Sequence, residues 1–446
     1  HQSPDAVVAW RGGVAIPARQ FVADARALAA LLPQGRHVLN LCADRYRFAV
    51  GFAASLIAGK TSLLPPTQVP EVIRHLQRFA PDACCLTDDA NCDIALPLVR
   101  YPQQHAAAGS DFAVPEIDGE FLAAYVFTSG STGAPLPHAK SWAFLVADVQ
   151  VEAQRLGFVH GQSWASVATV PPQHMYGFES SLLVAWQSGQ SFCAERPFYP
   201  ADIVATLAAV PRARLLVSTP VHLRALLAAG IEVPELDLVL CATAPLDREL
   251  AAQVEARLGA RVLEIYGSTE TGQIASRFTT AAEAWSLWPG LELQERDGRM
   301  WALGGHLPAA TPLGDQLEIL PAGRFLFRGR TEDMINIAGK RSSLAYLNHQ
   351  LAAIAGVVDG AFFLPQPASA HAGTGTTRLA ALVVAPGLSS AAILGALRTR
   401  IDAVFLPRPL LQVEHIPRNS TGKLPLALLQ TLALRARPQP NRAAEV

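Results

Sequence analysis

Residues 125–142, YVFTSGSTGAPLPHAKSW, leave an apolar run for a stretch of small residues. Tyr125-Val126-Phe127 reads as the end of a buried strand. It stops at Thr128-Ser129-Gly130-Ser131-Thr132-Gly133, in which four of six residues carry hydroxyls. Gly130 and Gly133 let the backbone approach a ligand closely. Successive N–H groups in such a loop form an anion-binding concavity. A helix expected over 138–157 would aim its positive end at the same place, and Lys140 adds a cation. The set suits a polyphosphate, with an ordinary flexible connection as the plainer alternative. It is not a Walker A loop: two residues rather than four separate the glycines, and Lys140 lies seven beyond Gly133.

Strand-like and helix-like segments alternate on both sides of this stretch. HVLNLC, DACCLTD, FLAAYVFT, SWASVATV, RLLVST, LDLVLC and RVLEIY read as strands. Between several of them lie helices, such as PVHLRALLAAG with Pro220 in its first turn and DRELAAQVEARLG with Asp247 as N-cap. This alternation implies an α/β fold with buried parallel sheets. After about residue 290 the texture changes to short antiparallel strands with turns. A boundary near Arg330–Asp333 therefore separates residues 1–331 from a small α+β domain, 332–446. ASAHAGTGTT (368–377) reads as a flexible loop and the tail RPQPNRAAEV (437–446) as disordered.

Composition bounds the partners. The chain has 446 residues, half of them hydrophobic and 16% charged, with a formal net charge of −1. It has no basic field to recruit nucleic acid or an acidic membrane surface. The apolar stretch FAVGFAASLIAG (48–59) is shorter than the roughly 20 residues of a membrane span and reads as a buried helix. With no secretory signal pattern, a cytoplasmic location without membrane insertion is the expectation. The six cysteines show no CxxC spacing and read as reduced core residues.

Two further loops share the style of the first. EIYGSTETG (264–272) again follows a strand and adds one acid, Glu270, between Thr269 and Thr271. A carboxylate beside a phosphate site needs a cation between them, and Mg²⁺ is the usual one. Its plainer reading is a solvated turn glutamate. PRNSTGKLP (417–425) places Lys423 at the tip of a tight polar turn, which alone reads as a surface lysine.

YVFTSGSTGAP, YGSTETG, GRTEDMINIAGKR and PRNSTGKLP, in this order, resemble the signature motifs of the ANL superfamily of adenylate-forming enzymes. The resemblance spans nearly the whole chain. It implies a large N-terminal domain of stacked sheets and helices and a small mobile C-terminal domain. It also implies two half-reactions: a carboxylate attacks the α-phosphorus of ATP, then a thiol of CoA or a phosphopantetheinyl carrier displaces AMP. On that resemblance Thr128, Ser129, Gly130, Ser131, Thr132 and Gly133 hold the β- and γ-phosphates, with Lys140 as the nearby cation. Glu270 is the Mg²⁺ carboxylate and Thr269 its phosphate-contacting neighbour. Tyr266, beside Gly267, stacks on adenine. Asp315 in PLGDQLEI holds the ribose hydroxyls, assisted by Arg330. Lys423 bridges the substrate carboxylate and the α-phosphate. His174 in PPQHMYGFE matches an aromatic gate near the acyl pocket. Ala242 and Thr243 in CATAPL line adenine and acid, with Thr243 where a small residue is usual.

Three positions depart from the family pattern. Leu136 stands where a lysine commonly follows the proline of the first loop. The hinge position is Glu332, and Asn336 replaces an expected lysine. The last two touch the thiol half-reaction rather than adenylation. The compact length, TSGSTGAPLPHAKSW and GRTEDMINIAGKRSSL are similar to the AMP ligases of aryl-polyene and xanthomonadin-type pigment pathways, which implies 3- or 4-hydroxybenzoate as substrate and an acyl carrier protein as partner. Fatty acyl-CoA ligases and β-hydroxy-acid-adenylating β-lactone synthetases are alternatives on the same fold. A nucleotide-binding inactive paralogue is the alternative of another class, opposed by the presence of Glu270 and Lys423.

Overall fold

The computed structural model describes residues 3–65, 68, 70–109, 112–129, 135–158, 162–330, 334–337, 340–365, 379–416, 418, 429 and 431–432. The chain divides into two compact units: residues 1–292 with 302–311, and residues 293–301 with 312–446. The hairpin of Asp315–Leu320 and Arg324–Arg330 falls in the second unit, whereas the sequence placed it before the boundary. The expected 368–377 loop and 437–446 tail, Glu332, Lys423 and residues 130–134 lie outside the described residues.

Two sheets form the frame of the first unit. One has the order Leu98–Arg100, Cys84–Thr87, His37–Asn40, Thr61–Leu64, Leu122–Ser129, Pro135–Ser141. Its pairings are parallel except the last. The other runs Trp285–Leu287, Gly272–Phe278, Arg261–Ser268, Leu238–Cys241, Arg214–Ser218, Ala165–Ala168, Ser191–Cys193, Val7–Arg11, Val14–Pro17. It is parallel from Arg261–Ser268 to Val7–Arg11. Both faces of its centre are covered, so its strands read as unbroken apolar runs such as Leu238–Cys241, buried at every position.

The helices start where local chemistry dictates. Thr219 caps Pro220–Ala228 by accepting from the His222 N–H, and Asp247 caps Arg248–Leu258 by accepting from Glu249 and Leu250. Residues 48–57 of the apolar stretch lie in the helix Arg45–Ile57, buried almost all round, as a helix between two layers must be. Its first residue, Arg45, has no exposed surface. Arg45 Nη1 donates to Ser181 Oγ (2.6 Å), and Nη2 to the Ala168 and Val170 carbonyls (2.9 Å each). A residue following the first sheet thus grips a strand end of the second. Burial pushes the guanidinium down to about 10. Among the described residues no carboxylate lies within ion-pair distance of it.

The second unit is α+β. Met334–Ile337 pairs with Lys340–Ser343, followed by the helix Leu344–Ala352. Asp359–Phe363, Ala380–Val384 and Leu410–Gln412 form a small sheet, with the helix Ser390–Arg398 beside it. Ile337, Leu347, Leu351, Phe362, Leu382 and Ile393 are among its buried residues. Among the described residues no helix is long and apolar enough to cross a membrane. All six cysteines are unbridged, five of them buried.

Candidate active site

The loop after Phe127 turns back as a β-hairpin rather than entering a helix. Leu122–Ser129 pairs antiparallel with Pro135–Ser141, bringing Thr128 opposite Leu136 and Val126 opposite His138. This corrects the helix expected over 138–157. The helix starts at Trp142, capped by Ser141 Oγ, which accepts from the Phe144 N–H (3.2 Å). Pro135 and Pro137 explain the difference. They sit at alternate positions of an edge strand, where the missing N–H groups share the unpaired side. The helix of this segment therefore starts after the returning strand, not at the loop. Leu136, which stands where a lysine is usual, is half exposed.

The second loop forms the turn between Arg261–Ser268 and Gly272–Phe278. Ser268 N donates to Thr271 Oγ1 (3.1 Å), and Thr271 N donates to Ser268 Oγ (3.2 Å). Gly272 has φ +67°, and a Cβ there would lie 2.6 Å from Asp148 Oδ2, so only glycine fits. The Glu270 side chain is 43% exposed, 3.6 Å from His138 Nε2. His138 Nε2 is also 2.9 Å from Thr128 Oγ1, linking the two loops. Burial would raise the Glu270 carboxyl, but its own backbone N–H, Ser268, His138 and Lys140 hold it below its ordinary value. Glu270 is therefore ionised at neutral pH. Burial holds the His138 imidazole down, with Glu270 opposing.

Lys140 is 2% exposed. Its Nζ donates to the Glu270 carbonyl (3.2 Å) and lies 3.9 Å from the Phe144 ring centroid. Burial pushes the ammonium down to about 8, with Glu179, Asp148 and Glu270 opposing. Lys140, expected as the cation near the phosphates, is buried, with its ammonium turned to the Glu270 carbonyl.

Beneath the turn lies a polar cluster absent from the sequence reading. Asp148 and Glu152 are fully buried on the helix Trp142–Arg155, and Glu179 lies in the π-turn Glu179–Leu183. Gln273 N donates to Asp148 Oδ1 (3.3 Å), and Gln273 Nε2 donates to Glu152 Oε2 and Ser180 Oγ (3.0 Å each). His306 Nε2 donates to the Thr271 carbonyl (2.8 Å). Asp148 is driven up by burial and then by the charge of Glu179, and Glu179 is raised by burial. The one local signal was the i, i+4 pair Asp148 and Glu152 on the apolar face of a helix. His138, Gln273 and His306 carried none, because their partners are distant in the chain.

Glu152 yields a pH prediction. Burial raises its carboxyl to about 8, against roughly 4.3 in an unfolded chain. Between those values the folded form keeps a proton that the unfolded form has released, so stability falls as pH rises through this window. Glu152→Gln keeps the shape and removes the titration. Its melting temperature is expected to fall less than the parent's between about pH 5 and pH 8. Parallel pH profiles would show that Glu152 is ionised throughout.

The remaining candidates lie at strand ends. Ala242 is buried, and Thr243, half-buried, holds φ +80°, a conformation costly for a β-branched residue. The next turn is fixed by Glu264, which accepts from Leu246 N (2.9 Å), Arg277 Nε and Thr279 Oγ1 (2.8 Å each). Gly267 follows Tyr266, whose ring lies 5.6 Å from that of Trp285. Thr269 is half-buried on the turn. His174 precedes the helix Met175–Phe178 and is half-buried. In the second unit, Asp315 and Arg330 face each other across the hairpin register. Thr128, Ser129, Thr243, Tyr266 and Glu270 thus lie at or just past the carboxyl ends of sheet strands, where open α/β sheets bind ligands. Among the described residues no trio of His, Cys, Asp or Glu could hold a metal by itself.

An α/β frame with hydroxyl-rich loops and an ionised carboxylate at its strand ends suits an enzyme that binds an anionic ligand there. The chain belongs to the AMP-binding enzyme family, which it matches over residues 1–289. It is 29% identical over 276 residues to a 4-coumarate–CoA ligase of Rhodobacter capsulatus, covering 62% of this chain and 67% of that one. Its fold is similar to that of ATP-bound MatB from Rhodopseudomonas palustris (TM-score 0.80, 20% identity, 97% of this chain and 96% of that one). It is also similar to o-succinylbenzoate CoA synthetase from Bacillus subtilis with its acyl-adenylate (TM-score 0.80, 16% identity, 100% and 97%). The protein is an adenylate-forming enzyme of the acid–thiol ligase type, and ATP-dependent carboxylate activation is its chemistry.

Proposed function

We propose that this enzyme activates a small aromatic acid, 3- or 4-hydroxybenzoate, and passes the acyl group to a pantetheine thiol of an acyl carrier protein or CoA. The supporting observation is the similarity to 4-coumarate–CoA ligases, whose name denotes a hydroxylated aromatic acid.

In the proposed mechanism a carboxylate oxygen bonds to the α-phosphorus as the bond to pyrophosphate breaks. The thiol then loses its proton, its sulfur attacks the acyl carbon, and AMP leaves. Thr128, Ser129, Gly130, Ser131, Thr132 and Gly133 cradle the β- and γ-phosphates. Tyr266 stacks on adenine, Asp315 with Arg330 holds the ribose, and Ala242, Thr243 and His174 border the acid. Thr269 contacts phosphate, and Lys423 bridges the two reacting anions. Glu270, ionised and 43% exposed, fits a cation held by one carboxylate together with phosphate oxygens and water. Bound there, Mg²⁺ would neutralise phosphate charge. Residues 332–446 would turn about Glu332 between the half-reactions.

The test is ATP–pyrophosphate exchange with 3- and 4-hydroxybenzoate, benzoate, 4-coumarate, fatty acids, 3-hydroxy fatty acids and amino acids. A response to one hydroxybenzoate is expected. A fatty-acid response would keep the adenylation chemistry and discard the proposed substrate.

A further inference from the structure

We infer that Lys140 is a positioning residue: from inside the fold it fixes the turn that presents Glu270, through its hydrogen bond to the Glu270 carbonyl. This rests on the proposed role of Glu270 beside the nucleotide.

Consecutive parts of that turn are gripped on the hidden side by side chains from elsewhere. The Glu270 carbonyl accepts from Lys140 Nζ (3.2 Å), the Thr271 carbonyl accepts from His306 Nε2 (2.8 Å), and Gln273 N donates to Asp148 Oδ1 (3.3 Å). Glu270's carboxylate stays on the open side, 43% exposed. Lys140 lies on the returning strand of the hairpin that carries the first loop. It therefore joins the frames of both loops through one part-buried hydrogen bond. An isolated buried ammonium is costly. Here Glu179 is the main group favouring its charged form, and the Phe144 ring lies 3.9 Å away, within cation–π range. An apolar side chain at 140 would leave the Glu270 carbonyl without this donor and Glu179 without its cation. Holding a charged group in place before the ligand arrives removes reorganisation from the reaction.

The experiment separates charge balance from positioning. Full-length Lys140→Met and Lys140→Met/Glu179→Gln are compared with the parent by thermal melting. ATP binding is measured by calorimetry with Mg²⁺ and with EDTA. Lys140→Met is expected to lower the melting temperature, and the double variant, which removes one charge of each sign, to recover most of it. In the recovered double variant the affinity gained from Mg²⁺ is expected to stay about tenfold smaller, roughly 1.4 kcal/mol, with affinity in EDTA little changed. Recovery of both stability and the Mg²⁺-dependent gain would reduce Lys140 to a counter-charge and overturn the inference. Should the double variant not fold, Lys140→Arg is measured. It keeps the charge but carries a planar fork in place of a compact ammonium. It is expected to lose part of the Mg²⁺-dependent gain, and a full gain would overturn the inference. Glu270→Gln is run alongside. A normal Mg²⁺-dependent gain in Glu270→Gln would remove the role of Glu270 itself. Normal Lys140 variants beside an impaired Glu270→Gln would overturn the inference alone.

Discussion

Lys423→Ala is expected to lower carboxylate-dependent ATP–pyrophosphate exchange by about 10²–10³, or about 2.7–4 kcal/mol, the scale of removing one transition-state donor. The first half-reaction brings two anions together. At about 4 Å and an effective dielectric near 20, their repulsion is on the order of 4 kcal/mol. A cation between the acid and the α-phosphorus offsets that cost where it arises. Lys423 is the residue proposed for this place, by its position in PRNSTGKLP. The loss should appear in turnover more than in ATP binding, because the two anions close only in the transition state. Unchanged exchange in a folded variant would remove Lys423 from the mechanism.

Glu270→Gln is expected to raise the apparent KM for Mg-ATP by at least about tenfold, equivalent to about 1.4 kcal/mol, while the protein melts near the parent temperature. The amide keeps the size and loses the charge. The carboxylate is 43% exposed and is held ionised by Ser268, His138 and Lys140 despite its burial. The variant should also need more Mg²⁺ to reach half-maximal rate. Normal kinetics at limiting Mg²⁺ would return Glu270 to the status of a turn residue.

Much of the frame was legible because its signals are local. Pro220, Asp247 and the apolar run 238–241 act within a few residues, and the structure places a helix start, a cap and a buried strand there. The motifs pointed to the loops at the strand ends for the same reason. At 138–141 local propensity misled: Ala139 and Lys140 favour a helix, whereas the two prolines before them marked an edge strand. The cluster under Glu270 was illegible for a different cause. Lys140, Asp148, Glu179, Gln273 and His306 come from separate segments and meet only when the sheets and helices pack. Only the pair Asp148 and Glu152 hinted at it, as acids on a face that should have been apolar.

The grip of Arg45 on the Ala168 and Val170 carbonyls and on Ser181 restricts how this chain can exchange parts with its relatives. A recombination junction between residues 57 and 165 would deliver the guanidinium from one parent and its acceptors from another. If the incoming segment lacked the arginine, two carbonyls would lose their donor. If it carried the arginine into a foreign acceptor loop, a charge would be stranded without water. Functional hybrids should therefore inherit residues 45, 168–170 and 181 together, so junctions belong outside that span.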